Sequence, residues 1–171
     1  MHKPDNIILI GLMGTGKTTV GRQLSRKLKM DFYDSDRVIE ERTGADIPLI
    51  FEKEGEDGFR KRELAIIDEL TQKKNIILAT GGGAILHPEN RNHMINRGTV
   101  FYLKSSLKTL IERTSKDKNR PLLHAEEPAE DILKRLLSER GPLYEETADH
   151  IIETANNSIH SVIQAIIKSL K

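Results

Sequence analysis

The residues best suited to chemistry lie in the stretch from Gly11 to Thr18, which reads GLMGTGKT. Its spacing, G-x-x-x-x-G-K-[ST], lets backbone N–H groups turn inward around an anion, and a following helix adds the positive end of its dipole. In this pattern Lys17 is expected to reach the terminal phosphates of a nucleotide, and Thr18 is expected to bind Mg²⁺. An ordinary glycine-rich turn is the alternative, but the apolar run before the stretch and the helical pattern after it favour a phosphate cradle. The residues predicted to bind the nucleotide phosphates are Gly14, Thr15, Gly16, Lys17, Thr18 and Thr19.

A pair of aspartates, Asp34 and Asp36, comes at the end of the short strand-like run 30–34. A strand period of two puts both carboxylates on the same side of the chain. Two like charges held so close favour a cation or a polar ligand beside them. The alternative is a helix cap at Asp36, since the helical pattern that follows ends at Thr43-Gly44. A cap would explain one aspartate and leave the other without a role.

Three consecutive glycines, Gly81 to Gly83, end the apolar run 75–80. Each glycine costs about 0.5–1 kcal/mol of extra backbone entropy, so three of them exceed what a turn requires. Their place at the carboxyl end of a strand indicates that a ligand approaches the backbone. A plain loop is the alternative.

An arginine, Arg60, is predicted near the start of a long helix that follows Gly58. A cation in a first helical turn opposes the helix dipole by about 0.3–1 kcal/mol, which indicates an anionic partner at that place. Spacing alone nevertheless favours an ion pair with Glu63, three residues further along the same helix.

Five short apolar runs, which alternate with helical patterns, must position these residues. Such alternation predicts an α/β domain with a five-stranded, mostly parallel sheet and helices on both faces. In such sheets ligands bind beyond the carboxyl ends of the strands, where the cradle, the aspartates and the glycines would converge. The predicted strands are 7–10, 30–34, 75–80, 99–103 and 150–154.

The stretch 115–128 interrupts the pattern, since it is charged and contains two prolines. It is predicted to be a mobile surface loop or lid. Its basic residues Lys116, Lys118 and Arg120 could be solvated surface charges or groups that swing over phosphates. A helix is predicted over 129–140, and Gly141-Pro142 is predicted to end it.

Length and composition set the limits within which these motifs act. The 171 residues suit one domain, 1–171, and 27 Lys+Arg against 26 Asp+Glu give a net charge of +1. With so balanced a charge, no nucleic-acid partner and no membrane partner is expected. There is no cysteine, the apolar runs are too short for a membrane span, and no signal peptide is apparent. We therefore expect a cytoplasmic protein, and we expect it to be a monomer.

Five segments together resemble the shikimate kinase family, and they occur in the family's order and spacing along nearly the whole chain. They are FYDSDRVIEERTG, GEDGFRKRE, LATGGG, RPLL and RGPLYEETA. The resemblance implies a P-loop fold like that of nucleoside-monophosphate kinases. It also implies transfer of the γ-phosphate of ATP to the 3-hydroxyl of shikimate, a step towards aromatic amino acids.

The resemblance further implies a role for individual residues. Asp34 would support Mg²⁺ together with Thr18, and Asp36 would hold the substrate hydroxyls as the candidate base. Arg60 and Arg140 would bind the substrate carboxylate, and the backbone of Gly81, Gly82 and Gly83 would line the substrate ring. Arg120 would reach the phosphates from the lid, and Arg113 would lie beside the adenine. Where the family often has a proline beside the adenine, this chain has Ala155-Asn156-Asn157-Ser158.

Two other functions fit part of the pattern. A gluconate or nucleoside-monophosphate kinase would share the architecture, although the glycine triplet and the arginine pair favour an acidic polyol. A nucleotide-binding module without turnover would need the cradle but no hydroxyl-binding aspartate. A motor ATPase or switch GTPase is disfavoured, since the third strand ends in Thr80 and glycine where such proteins have a metal-binding aspartate.

Overall fold

The computed structural model describes residues 5–114 and 127–171. Its five strands form one sheet in the order β2-β3-β1-β4-β5, and every neighbouring pair is parallel. The predicted α/β fold with a five-stranded parallel sheet is therefore confirmed. The strands are β1 (Ile7–Ile10), β2 (Asp31–Asp34), β3 (Ile76–Ala79), β4 (Thr99–Lys104) and β5 (His150–Glu153).

Strand β1 occupies the centre of the sheet, and all four of its residues are buried. Ile8 pairs with Leu78 of β3 on one side and with Val100 of β4 on the other. Because side chains alternate along a strand, Ile8 contributes to one hydrophobic core and Leu9 to another on the opposite face. A continuous apolar run at this position is typical of a strand that is covered on both faces.

Helices cover both faces of the sheet, as the alternating pattern predicts. Helices α1 and α7 pack on the face of Leu9, and the other helices pack on the face of Ile8. The helices are α1 (Lys17–Leu28), α2 (Ser35–Thr43), α3 (Ile47–Thr71), α4 (Pro88–Arg97), α5 (Leu107–Thr114), α6 (Ala129–Thr147) and α7 (Ile159–Leu170), with a 3₁₀ helix over Gly82–Leu86.

Helix α2 is capped by Asp34 rather than by Asp36. The Asp34 Oδ1 accepts hydrogen bonds from the backbone N–H groups of Asp36, at 3.0 Å, and Arg37, at 3.3 Å. The alternative that assigned the cap to Asp36 is therefore wrong. Since Asp34 takes the cap, Asp36 lies in the first turn of α2 and is not its cap.

Helix α3 begins earlier than the sequence predicts, because the segment before Gly55 is itself helical. Gly55 has φ 72° and ψ −180°, and this non-helical conformation interrupts the helix. Glycine adopts it without steric cost because it has no side chain. The predicted start after Gly58 is wrong, and Arg60 lies beyond the first turn that follows the kink. Because the effect of the helix dipole falls off beyond the first turn, it gives less reason to expect an anionic partner for Arg60.

Helix α6 continues through Gly141 and Pro142 to Thr147, so the predicted end at this dipeptide is wrong. Proline inside a helix costs about 3 kcal/mol, since it removes a hydrogen bond and crowds the preceding turn. Burial of Tyr144 opposes that cost, because its ring is only 1% exposed and stacks on Tyr102 with centroids 5.0 Å apart.

The predicted lid, 115–128, falls almost entirely on residues 115–126, outside the described residues, and Arg120 lies among them. Across the two described ranges, 5–114 and 127–171, every helix is too short or too polar to cross a bilayer.

Candidate active site

The loop between β1 and α1 has the shape of a phosphate cradle. Gly14 and Gly16 have φ values of 85° and 89°, which a residue with a side chain rarely adopts. The Lys17 Nζ donates hydrogen bonds to the carbonyl oxygens of Gly11, at 2.6 Å, and Leu12, at 2.9 Å. The ammonium group therefore lies inside the curl of the loop, at the N-terminus of α1, where cation and helix dipole both favour an anion.

A second group of oxygen atoms lies beside the cradle. The Thr18 Oγ1 donates a hydrogen bond to the Asp34 Oδ2 at 2.7 Å. Asp34 thus binds Thr18 with one oxygen while its other oxygen caps α2. A hydroxyl and a carboxylate side by side are the ligand types that a hard divalent cation prefers. The predicted metal-binding pair, Thr18 and Asp34, is brought together, and its donor atoms fit Mg²⁺.

The glycine triplet lies against four charged side chains. A Cβ atom on Gly81 would come within 2.6 Å of the Asp36 Oδ1 and 3.0 Å of the Glu63 Oε2. On Gly82 it would approach the Arg140 Nη1 to 3.4 Å, and on Gly83 it would approach the Arg60 Cζ to 2.5 Å. The protein's own charged groups therefore leave little or no room for a side chain at these three positions, which accounts for the three glycines. The sequence predicts that a ligand approaches this backbone, and that stays a prediction beside the side chains that pack here.

Hydrogen bonds from two helices fix the triplet at the end of β3. The backbone N–H of Gly81 donates to the Ser35 Oγ at 3.0 Å, and the Tyr144 hydroxyl donates to the carbonyl of Gly82 at 2.5 Å. Ser35 and Tyr144 were not identified from the sequence, where neither residue type nor spacing distinguishes them. Both side chains are fully or almost fully buried, so the backbone they bind is held rigidly.

Arg60 combines the ion pair that spacing favours with a place beside the glycines. Its Nη1 donates to the Glu63 Oε1 at 2.9 Å, and its Nη2 donates to the Glu56 Oε1 at 3.2 Å. Arg140 is only 3% exposed. In both arginines the Nε is buried and has no hydrogen-bond partner among the described residues, so each guanidinium retains donor capacity.

Glu63 is a buried member of the site, although the sequence indicates it only as an ion-pair partner for Arg60. Its side chain is 1% exposed. Burial raises the pKa of its carboxyl to about 7, with Arg60 lowering it and Asp36 raising it further. The sequence offered one signal for Glu63, which is that it follows Arg60 by three residues on the same helix.

A cavity of about 250 Å³ joins the cradle to the aspartates and the glycines. Arg60 and Arg140 are not among its lining residues, and their guanidinium groups pack against Gly83 and Gly82. The cavity thus has one wall suited to phosphate and another suited to hydroxyl groups. Its lining consists of Gly14, Gly16, Lys17, Thr18, Thr19, Asp34, Asp36, Thr80, Gly81, Gly82 and Arg113.

A second cavity, of about 270 Å³, adjoins the first on the side of β5. Arg113 lines both cavities, and its Nη1 donates to the carbonyl of Gly14 at 3.1 Å. Asn157, from the segment that stands where the family often has a proline, lines the second cavity together with Thr154, which the sequence did not single out. The Asn157 Nδ2 donates to the carbonyl of Glu153 at 3.0 Å, which holds this loop in place. A flat group attached to a phosphate chain in the cradle would find room here.

Comparison with known proteins agrees with this geometry. A family model described as shikimate kinase matches residues 13–171. The shikimate kinase of Legionella pneumophila (strain Corby) is 56% identical over 168 residues, which cover 98% of this chain and 95% of that protein.

Solved structures show the same relationship. Shikimate kinase from Acinetobacter baumannii in complex with shikimate has a TM-score of 0.94 and 49% identity, and the alignment covers 98% of this chain and 93% of that one. A gluconokinase from Sinorhizobium meliloti 1021 has a TM-score of 0.61 at 16% identity over 99% of this chain and 93% of its own, which shows a shared fold alone. The predicted P-loop kinase fold is thereby confirmed. Because the family match and the 56% identity extend along almost its full length, this chain belongs to the shikimate kinase family.

Proposed function

We propose that this protein transfers the γ-phosphoryl group of ATP to the 3-hydroxyl of shikimate, giving shikimate 3-phosphate and ADP. Membership of the shikimate kinase family supports the reaction. The observation that carries it is the single cavity in which Lys17 and Thr18 line one wall while Asp36, Gly81 and Gly82 line the other. Phosphoryl transfer requires two bound substrates in line more than it requires covalent chemistry, and this cavity joins the place proposed for the phosphates to the place proposed for the acceptor hydroxyl.

The donor half of the proposal assigns ATP to the cradle. Backbone N–H groups from Gly14 to Thr19 would bind its phosphates, and the ammonium of Lys17 would neutralise charge that develops on the transferred group. The adenine would occupy the second cavity beside Arg113. Arg120, outside the described residues, remains our proposal for a further cation that approaches the phosphates from the lid.

Magnesium would be held by the Thr18 hydroxyl, with Asp34 as its protein carboxylate. Among the described residues there is no cluster of three or more His, Cys, Asp or Glu side chains that could hold a metal. This suits Mg²⁺, which keeps several waters and is usually bound through one or two carboxylates plus substrate phosphates. When bound, the ion would neutralise phosphate charge and orient the chain of phosphates.

The acceptor half of the proposal assigns shikimate to the charged cluster. The carboxylate of Asp36 would accept hydrogen bonds from the substrate hydroxyls, fix the attacking oxygen and take its proton. Arg60 and Arg140 would bind the substrate carboxylate, since two parallel N–H groups match its two oxygens. The backbone of Gly81 to Gly83 would lie against the ring.

Four coarser properties complete the proposal. We propose a single domain over 1–171, because one sheet contains strands from both ends of the chain. We also propose a cytoplasmic monomer that acts without nucleic acid. Gel filtration with light scattering tests the monomer, for which a mass near 19.4 kDa is expected.

A coupled assay of ADP release tests the proposed function. With ATP and Mg²⁺, release is expected to depend on added shikimate and to saturate with it. Gluconate and nucleoside monophosphates at equal concentration serve as controls for the two other kinases of this architecture. Release that ignores shikimate, or that follows gluconate instead, would contradict the proposal, and ATP binding without any turnover would favour a nucleotide-binding module.

A further inference from the structure

The buried carboxyl of Glu63 has a place in the site that the phosphoryl-transfer mechanism does not use. It is 1% exposed and lies on α3, with Arg60 and Glu56 on the same helix. Asp36 faces it from α2, and Arg140 and Tyr144 face it from α6. Gly81, just before the 3₁₀ helix, presents its backbone to the Glu63 Oε2.

The two oxygens of Glu63 have different surroundings. Its Oε1 accepts the hydrogen bond from Arg60 at 2.9 Å, whereas its Oε2 is buried without a hydrogen-bond partner among residues 5–114 and 127–171. The Oε2 and the Asp36 Oδ1 both lie within 3.0 Å of the same point beside Gly81, so these two oxygens are less than about 6 Å apart. A buried carboxylate oxygen beside a second carboxylate is a site where a proton would be stabilised.

Charges in the cluster balance only in the absence of an acidic substrate. Two guanidinium groups, Arg60 and Arg140, face two carboxylates, Asp36 and Glu63. Glu56, which also pairs with Arg60, is 55% exposed, so water screens its charge. A bound carboxylate adds a third negative charge and competes with Glu63 for Arg60, the cation that keeps Glu63 ionised. Since a buried third negative charge is costly at low dielectric, the least costly response is to neutralise one of the carboxylates.

We propose that Glu63 takes up a proton from solution on its Oε2 when the substrate carboxylate binds between Arg60 and Arg140. This inference rests on the proposed function, because the acidic ligand is shikimate. The proton comes from the buffer and no other bond changes. The neutral acid then keeps its Oε1 as the acceptor for Arg60, so the arginine stays in position while the excess charge disappears. The pKa of about 7 in the ligand-free protein means that the proton is readily available near neutral pH.

Isothermal titration calorimetry tests the proposal directly. Shikimate is titrated into the full-length protein at pH 8 in phosphate and in Tris, whose ionisation enthalpies differ. The slope of binding enthalpy against buffer ionisation enthalpy counts the protons taken up, and a value approaching one proton per shikimate is expected. The Kd for shikimate is also expected to rise by up to about tenfold per pH unit above pH 7, since the competent state binds one more proton.

Two variants locate the proton. Glu63→Gln keeps the shape of the side chain and an oxygen for Arg60, and it is expected to bind shikimate with no proton uptake and with a Kd that no longer depends on pH between 7 and 9. Glu56→Gln is the matched control, since Glu56 is the other carboxylate on Arg60 but is 55% exposed. It is expected to retain the proton uptake of the original chain.

Each outcome separates this inference from the proposed function. Failure of the original chain to bind shikimate would contradict the proposed function. Saturable binding with an enthalpy that is independent of the buffer would leave the function standing and overturn the proton uptake. Uptake that persists in Glu63→Gln would also overturn it, because the proton would then belong to another group. A role limited to holding Arg60 in position would move no protons in any of these titrations.

Discussion

The two walls of the active-site cavity recognise their ligands by different means. The cradle from Gly11 to Thr18 is one continuous loop whose backbone angles create the binding groups. The acceptor wall is instead formed by Asp36, Gly81 and Gly82. Charged side chains from three helices, those of Asp36, Glu63, Arg60 and Arg140, pack against this glycine backbone. Backbone geometry suits a phosphate chain that many proteins bind, whereas a cluster of side-chain charges suits one particular acid. Substitutions on the two walls should therefore affect different substrates.

The largest effect is expected on the cradle wall. Lys17→Ala removes the ammonium that lies inside the loop, and kcat is expected to fall by about 10²–10³-fold, as when other preorganised charge-stabilising groups are removed. Single-turnover measurement with saturating ATP and shikimate checks this. Near-normal turnover would remove Lys17 from the mechanism. Lys27→Ala, at the far end of α1, is the control and is expected to leave kcat unchanged.

The next effect is expected on the acceptor wall. Arg60→Ala removes one or two charged hydrogen bonds to the substrate carboxylate, each worth about 1.5–3 kcal/mol, so the KM for shikimate is expected to rise about 10–100-fold. The KM for ATP should change little, because Arg60 lies behind the glycines and away from the cradle. Initial rates with each substrate varied in turn check this. An equal loss of ATP affinity would contradict the separation of the two walls.

A pair of glycine substitutions sharpens the comparison. Gly81→Ala places a Cβ 2.6 Å from the Asp36 Oδ1, although the φ of −62° at Gly81 accepts any residue. The end of a flexible side chain can move away, so the thermal stability should hardly change while the KM for shikimate rises about tenfold through the displaced carboxylate. Steady-state kinetics together with a melting curve check both parts.

Gly16→Ala is the counterpart on the cradle wall. A Cβ there meets nothing within 4 Å, but the φ of 89° is strained for alanine by about 1–2 kcal/mol. The KM for ATP is expected to rise about three- to tenfold, with the KM for shikimate unchanged. If both glycine variants weakened the same substrate, the difference between backbone recognition and charge recognition would be lost.

The smallest effect is expected from the support behind the glycines. Tyr144→Phe removes the hydrogen bond to the carbonyl of Gly82, and the free energy of unfolding is expected to fall by about 0.5–1.5 kcal/mol. Urea denaturation measures this, and the KM for shikimate should rise no more than about threefold. Tyr102→Phe is the matched control, since Tyr102 stacks on Tyr144 and presents no hydroxyl to the glycines.

The cradle and the sheet could be predicted almost completely from sequence, because both depend on local patterns. A run such as Ile7–Ile10 and the spacing of Gly11, Gly16 and Lys17 specify their structure within a few residues. Residue type and position singled out Asp36, Arg60 and the glycines of the acceptor wall one by one. Arg140, and the role assigned to each of these residues, came only from family resemblance. The contact of Arg140 with Gly82, 58 residues earlier, has no local signal.

The errors share one cause, which is that tertiary packing outweighs local preference. Pro142 should end a helix, yet burial of Tyr144 beyond it keeps α6 helical. Gly58 was taken as the start of α3, although Gly55, with its positive φ, is the glycine that interrupts the helix. Glu63 was treated as an ordinary helical ion-pair partner because its burial cannot be deduced from the spacing of charges alone.

The strand order has a consequence for how such an enzyme can change its substrate. The central strand β1 leads into the cradle, while β2 and β3 on one side lead to Asp36 and the glycines, and β4 and β5 on the other lead towards Arg113 and Thr154. On the proposed function, the group to be transferred would lie on the midline, with the acceptor and the nucleotide base on opposite flanks. Mutations that retarget the acceptor can accumulate on one flank without disturbing the other, so this sheet order permits new kinases to evolve one substrate at a time.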